Sequence, residues 1–155
     1  MLCRQPRCFK PQVVFQEVPD EISLAFTVLG CPLRCEGCHS QDSWDTEQGE
    51  VLSKEKLQEY LERYQGMVTC VLFFGGEWHS SWLCECLEIA REMGFKTCLY
   101  TGKEKITKRI TQYLTFLKTG PWLKDKGGLA NKNTNQKLIH MESGNLLSYR
   151  FWGDQ

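Results

Sequence analysis

Met67-Val-Thr-Cys-Val-Leu-Phe-Phe-Gly-Gly-Glu77 is a continuous apolar run stopped by two glycines and an acid. A run with so little alternation is expected of a strand buried on both faces, the arrangement typical of parallel sheets. A helix should follow it, because Leu83, Cys86, Leu87, Ala90 and Met93 recur at helical spacing and Gly94 stands at the natural stop. Lys96 to Tyr100 then reads as a short strand ending at Thr101-Gly102, and Ile106, Ile110, Tyr113, Leu114 and Leu117 mark a third helix. Upstream, Ser53 can cap a helix that presents Leu57, Tyr60, Leu61 and Tyr64 on one face and ends at Gly66. Before it, Val13 to Phe15 and Ile22 to Leu29 are apolar and rich in β-branched residues. The second run is a buried strand that stops at Gly30 and delivers a loop.

Strand and helix alternating in this way imply right-handed parallel crossovers, hence an α/β fold with a mostly parallel sheet and its functional loops at the carboxyl ends of the strands. Beyond Gly120-Pro121 the pattern weakens. A hairpin is expected to close the chain over residues 137–151, from Lys137 to Met141, around Ser143-Gly144-Asn145, and back through Leu146 to Phe151. A length of 155 residues suits one domain spanning residues 1–155, with residues 1–12 read as a mobile terminus outside the pattern.

Nineteen Lys and Arg balance nineteen Asp and Glu, with no long basic run, which argues against a nucleic-acid partner and against recruitment by bulk charge. No apolar stretch is long enough to cross a bilayer, and the first residues have no apolar leader, so a cytoplasmic location is expected. In a reducing cytosol nine cysteines are better read as metal ligands or redox groups than as a disulfide framework.

Three of them stand together in Cys31-Pro-Leu-Arg-Cys35-Glu-Gly-Cys38. Three thiols on one short loop can wrap a compact soft-metal centre, and three ligands would leave a cubane 4Fe-4S cluster with one open iron. Such an iron can bind an exogenous chelator. The residues also allow a structural zinc site with His39 as fourth ligand, or a chance cluster of core cysteines.

The C-x3-C-x2-C spacing resembles that of the radical S-adenosylmethionine (AdoMet) superfamily. Within it, Cys38-His39-Ser40-Gln41-Asp42-Ser43-Trp44 looks like the corresponding segment of glycyl-radical-enzyme activases. The short chain, the Gly-Cys-Pro entry to the loop, Lys118-Thr-Gly-Pro-Trp122 and Thr134-Asn-Gln136 resemble the activases of anaerobic ribonucleoside-triphosphate reductase, over about Phe15 to Ile139. The resemblance implies an incomplete β/α barrel of radical AdoMet type. It implies Cys31, Cys35 and Cys38 as ligands of a 4Fe-4S cluster, with AdoMet chelating the fourth iron. Reductive cleavage would yield a 5′-deoxyadenosyl radical that takes the α-hydrogen of a glycine on the reductase. A small open barrel would let a partner loop enter. The electron would come from a low-potential donor such as a flavodoxin. Where most of the superfamily has an aromatic residue before the third cysteine, this chain has Gly37, so the adenine contact would pass to backbone at Gly37 and the ring of His39, although His39 equally suits a plain surface position on the loop.

Gly75-Gly76-Glu77 lets the backbone approach a ligand and presents a carboxylate at a strand end. It resembles the family's Gly-Gly-Glu motif, which contacts the amino group of AdoMet. Tyr100-Thr101-Gly102 occupies the place of a segment that binds the cofactor's ribose or carboxylate, and it also suits a plain strand-to-helix turn. Thr115 replaces an acid found near that position in related activases, so no cation site is expected there. Cys70 and Cys98 fall in buried strands, Cys84 and Cys86 point to different helix faces, and Cys3 and Cys8 lie in the unpatterned terminus. Tyr60, Tyr64, Trp78 and Trp82 read as core or rim aromatics. Two other functions fit the same residues: a radical AdoMet enzyme for a small molecule, such as a deazapurine synthase, and a non-catalytic zinc or iron–sulfur module.

Overall fold

The computed structural model describes residues 6–30 and 49–151. Its main sheet has six strands in the order β2-β3-β5-β6-β7-β8. Four central strands, β3 (Ser23–Thr27), β5 (Cys70–Phe74), β6 (Lys96–Tyr100) and β7 (Phe116–Thr119), run parallel, and the edge strands β2 (Gln12–Val14) and β8 (Lys137–His140) run antiparallel to them. This is the mostly parallel α/β sheet that the Met67–Glu77 run implied. A two-stranded ladder of β1 (Arg7–Cys8) and β4 (Glu50–Val51) stands beside it. Cys8 is therefore buried within the fold, although the sequence around it shows no pattern.

Helix α1 (Lys54–Arg63) begins where Ser53 accepts a hydrogen bond from the Lys56 amide at 3.1 Å, satisfying one of the free donors of the first turn. Gly66, beyond its end, takes φ +81°. Helix α2 (Ser80–Glu92) ends before Gly94, at φ +92°. Both helices, with the single turn of α3 (Lys108–Thr111), pack on the same face of the sheet. There Leu57, Leu61, Leu83, Leu87 and Ile110 meet Leu24, Phe26, Val71, Phe73 and Leu99. Phe26 and Phe73 stack at 5.4 Å, with Tyr60 edge-on to the first and Trp82 edge-on to the second. Trp82 also donates its indole N–H to the Leu52 carbonyl at 3.0 Å, so it is a core aromatic with its polar handle satisfied. Among the described residues the opposite face carries no α-helix. Ala25, Cys70, Leu72, Cys98 and Phe116 are covered there by Val18, Leu129, Leu138, Leu147 and Phe151.

Two elements differ from expectation. The third helix stops after one turn, and Leu117 belongs to β7 instead. Phe116, Leu117 and Lys118 form ladder pairs with Cys98, Leu99 and Tyr100 on one side, and Phe116 to Thr119 pair with β8 on the other. A strand inserted between two others satisfies its backbone on both edges, which a helix there could not do for its neighbours. The closing hairpin is also incomplete. Leu146 makes one antiparallel bridge to Ile139, after which the chain winds into a 3-10 turn at Ser148–Phe151 that lays Phe151 on the helix-free face.

Candidate functional site

The parallel register brings the candidate motifs to one edge. Thr27, Phe74, Tyr100 and Lys118 lie in one row across β3, β5, β6 and β7. Past that row the ladder continues into the loops, since Val28 N–H donates to Phe74 O at 3.0 Å, Gly75 N–H to Tyr100 O at 2.9 Å and Thr101 N–H to Lys118 O at 2.9 Å. The carboxyl edge therefore collects Gly30, from which the cysteine loop departs, together with Gly75-Gly76-Glu77 and Thr101-Gly102. Cys31, Cys35, Gly37, Cys38 and His39, with the segment to Trp44, lie outside the described residues, as does Cys3.

Gly75 and Gly76 adopt φ +84° and +108°, conformations that a side chain would strain. They are also crowded. A Cβ on Gly75 would come within 2.6 Å of the Trp78 ring, and one on Gly76 within 3.2 Å of Val28 Cγ2. The turn they make lets Glu77 open a 3-10 turn (Glu77–His79) with its side chain directed inward, 6% exposed. Burial of His79, two residues on, pulls its imidazole below the usual pKa.

A carboxylate this buried needs donors. One is supplied by Thr101, itself 1% exposed, whose hydroxyl donates to Glu77 Oε1 at 2.7 Å. That hydroxyl in turn accepts the Lys103 backbone N–H at 3.1 Å, which fixes the direction in which its proton points. Glu77 Oε2 is buried with no hydrogen-bond partner among the described residues. The arrangement can accept one further N–H or O–H donor, preferably a cationic one, at the edge where the cysteine loop begins.

The other residues of the third strand end are placed differently. Tyr100 donates its hydroxyl to the Glu17 carbonyl, and burial pushes its phenol far above the usual pKa. It is committed to holding the segment before β3, while Thr101 is the residue brought to Glu77. Sequence reasoning singled out Thr101 but not its bond to Glu77, which joins residues 24 positions apart and leaves no local signal. Thr115 lies at the other end of the sheet, accepting the Thr97 N–H at 3.2 Å and lining a groove of about 800 Å³ with Phe95, Lys96, Leu114 and Met141. That groove is at the amino edge, away from Glu77.

The remaining described cysteines do not assemble. No three His, Cys, Asp or Glu side chains come together as a metal site among the described residues. Cys8, Cys70, Cys84, Cys86 and Cys98 are all buried free thiols, and desolvation pushes the pKa of Cys8 and Cys70 up to about 12. Thiols so disfavoured as thiolates behave as small core hydrophobes. No helix among the described residues is long and apolar enough to cross a membrane.

A family model described as a 4Fe-4S single cluster domain matches residues 22–139, which include Cys31, Cys35 and Cys38. The chain belongs to the 4Fe-4S single cluster domain family. It is also similar to a pyruvate formate-lyase-activating enzyme of Clostridium pasteurianum, 35% identical over 82 residues, covering 47% of this chain and 33% of that protein. The chain thus matches about a third of that relative's length.

Proposed function

We propose that this 4Fe-4S domain is a glycyl-radical-enzyme activase that uses AdoMet, with Cys31, Cys35 and Cys38 as the cluster ligands. The observation that carries the reading is the buried Glu77 Oε2, which has no donor among the described residues and lies at the sheet edge from which the cysteine loop departs. The amino group of AdoMet is a donor of the required kind, and the turn that Gly75 and Gly76 make at φ +84° and +108° is what brings Glu77 to that edge. When bound, the reduced cluster supplies the electron that splits AdoMet into methionine and a 5′-deoxyadenosyl radical. The chain's own part is to orient. Glu77 holds the amino group, and Gly37, His39, Thr101 and Gly102 complete the cofactor's surroundings. The four parallel strands, with their helices on the outer face, form an incomplete barrel whose open edge admits a glycine-bearing loop of the partner.

The partner we favour is anaerobic ribonucleoside-triphosphate reductase, from the segments Lys118–Trp122 and Thr134–Gln136. The name of the Clostridium pasteurianum relative makes pyruvate formate-lyase the second candidate. Protein reconstituted anaerobically with iron and sulfide should make 5′-deoxyadenosine from AdoMet under a low-potential reductant such as reduced flavodoxin. Mixed with each enzyme in turn, it should give the electron paramagnetic resonance signal of a glycyl radical on its true target. Alanine at Cys31, Cys35 or Cys38 should abolish cluster and cleavage alike, whereas Cys70→Ala should retain cleavage. Full cleavage by Cys35→Ala would sink the assignment.

A further inference from the structure

The chain is neutral in total but not in its parts. Residues 103–137 contain nine Lys and Arg against two Asp and Glu, a net of +7, so the rest of the molecule carries a net of −7. The structure sorts these charges by edge. Arg109 turns to Ser81, its Nη2 2.9 Å from Ser81 Oγ, and Lys108 lines the amino-edge groove. The others gather at the carboxyl edge. Gly120 N–H donates to Lys103 O at 2.8 Å, and Thr119 pairs with Lys137. The long β7–β8 loop leaves and returns at this same edge, tied to itself by Asn135 Nδ2 to Pro121 O at 3.0 Å and Thr134 Oγ1 to Gly127 O at 2.8 Å. Lys103, Lys105, Lys124, Lys126 and Lys137 are all exposed, and no ion pair engages them among the described residues. Exposed acids such as Glu59, Glu62, Glu88 and Glu92 stand on α1 and α2, which cover one face of the sheet.

We propose that this lysine rim is the docking surface for an acidic face of the protein substrate, orienting it so that its glycine loop meets the carboxyl edge. The inference rests on the activase reading given above, and it adds where the partner sits and what charge it carries. A dipolar distribution of this kind steers encounter and raises the association rate without contributing much to final affinity. The exposed rim cations are lysines throughout, with no arginine to grip phosphates in the bidentate fashion typical of nucleic-acid contacts, which favours an acidic protein surface.

The test uses the reconstituted enzyme with reductase or pyruvate formate-lyase below saturation. The rate of glycyl-radical formation should fall about tenfold between about 50 and about 500 mM NaCl. The variant Lys105→Glu/Lys124→Glu/Lys126→Glu/Lys137→Glu should be slower by at least about tenfold at low salt and lose most of its salt dependence. Its partner-free formation of 5′-deoxyadenosine should equal that of wild type. The corresponding Lys→Gln variant, expected to fall between, controls for any effect of the introduced acids on folding. A normal rate in the Glu variant, or a salt-independent wild type, would overturn the rim proposal alone. Competition by a duplex oligonucleotide that the Glu variant no longer feels would overturn it by assigning the rim to nucleic acid. Absence of a glycyl radical on both enzymes would overturn the activase reading, and with it the rim's occupant.

Discussion

Thr101→Val removes one hydroxyl and almost nothing else. Valine fills the same volume, and the site is 1% exposed, so no water can replace the lost donor. The bond it deletes is the 2.7 Å contact to Glu77 Oε1, on a carboxylate whose Oε2 has no hydrogen-bond partner among the described residues. A hydrogen bond to a charged group contributes about 1.5–3 kcal/mol, and stranding the acceptor in the interior places the expected loss in the upper half, about 2–3 kcal/mol. For a chain of this size that corresponds to a fall in Tm of about 4–12 °C. Thr101→Ser keeps the hydroxyl and should recover most of it. A second reading isolates the functional part. Freed from Thr101, the Glu77 carboxylate can rotate, and AdoMet affinity measured anaerobically by calorimetry should weaken about tenfold, equivalent to 1.4 kcal/mol. In a Glu77→Ala background the same Thr101 change should have little further effect on affinity, since there is no carboxylate left to hold. The reasoning fails if Thr101→Val melts within about 1 °C of wild type, or if its affinity loss is additive with that of Glu77→Ala.

The crowded glycine should differ sharply from the open one: Gly75→Ala forces a contact of 2.6 Å with Trp78 and should cost more stability in urea titration than Gly66→Ala, which has the same strained sign of φ but nothing within 4 Å. Cys8 and Cys70, with pKa values near 12, should resist iodoacetamide at pH 8 in the folded protein and react only in denaturant, as judged by mass spectrometry. Tyr60 donates to Glu50 at 2.6 Å, which raises its pKa from 10.0 to about 12. Because the folded value lies above the unfolded one, its contribution is complete below pH 10 and is lost as pH rises toward 12. Tyr60→Phe should therefore be about 1 kcal/mol less stable than wild type at neutral pH, with the gap closing in alkaline melts.

The parts of the fold that could be read from sequence are those whose burial is one-sided or total over several residues. The β5 strand is continuous apolar sequence, α2 repeats its apolar residues every third or fourth position, and α1 announces its start with Ser53. The β7 strand could not be read, because Ile110, Leu114 and Leu117 keep a helical interval while lying in α3, in the connection after it and in β7, and Phe116–Thr119 is too short to show its own period. The ladder of β1 and β4 has two residues per strand and no period at all. At the site, Gly75-Gly76-Glu77 was legible because glycines after an apolar strand have a local meaning. The Thr101 partner was not, since its role exists only once β5 and β6 lie side by side in register.

The short ladder has one more bearing on the molecule. Leu29 N–H reaches Arg7 O at 2.9 Å, Arg7 Nη2 reaches Gly49 O at 2.7 Å, and Cys8 pairs with Glu50. Leu29 and Gly49, which flank the segment that carries the three loop cysteines, are thus both pinned to the same strand. Part of the entropy of closing that segment is met by these hydrogen bonds to Arg7 and Cys8. Arg7 and Cys8 therefore fix the spacing of that segment's two ends.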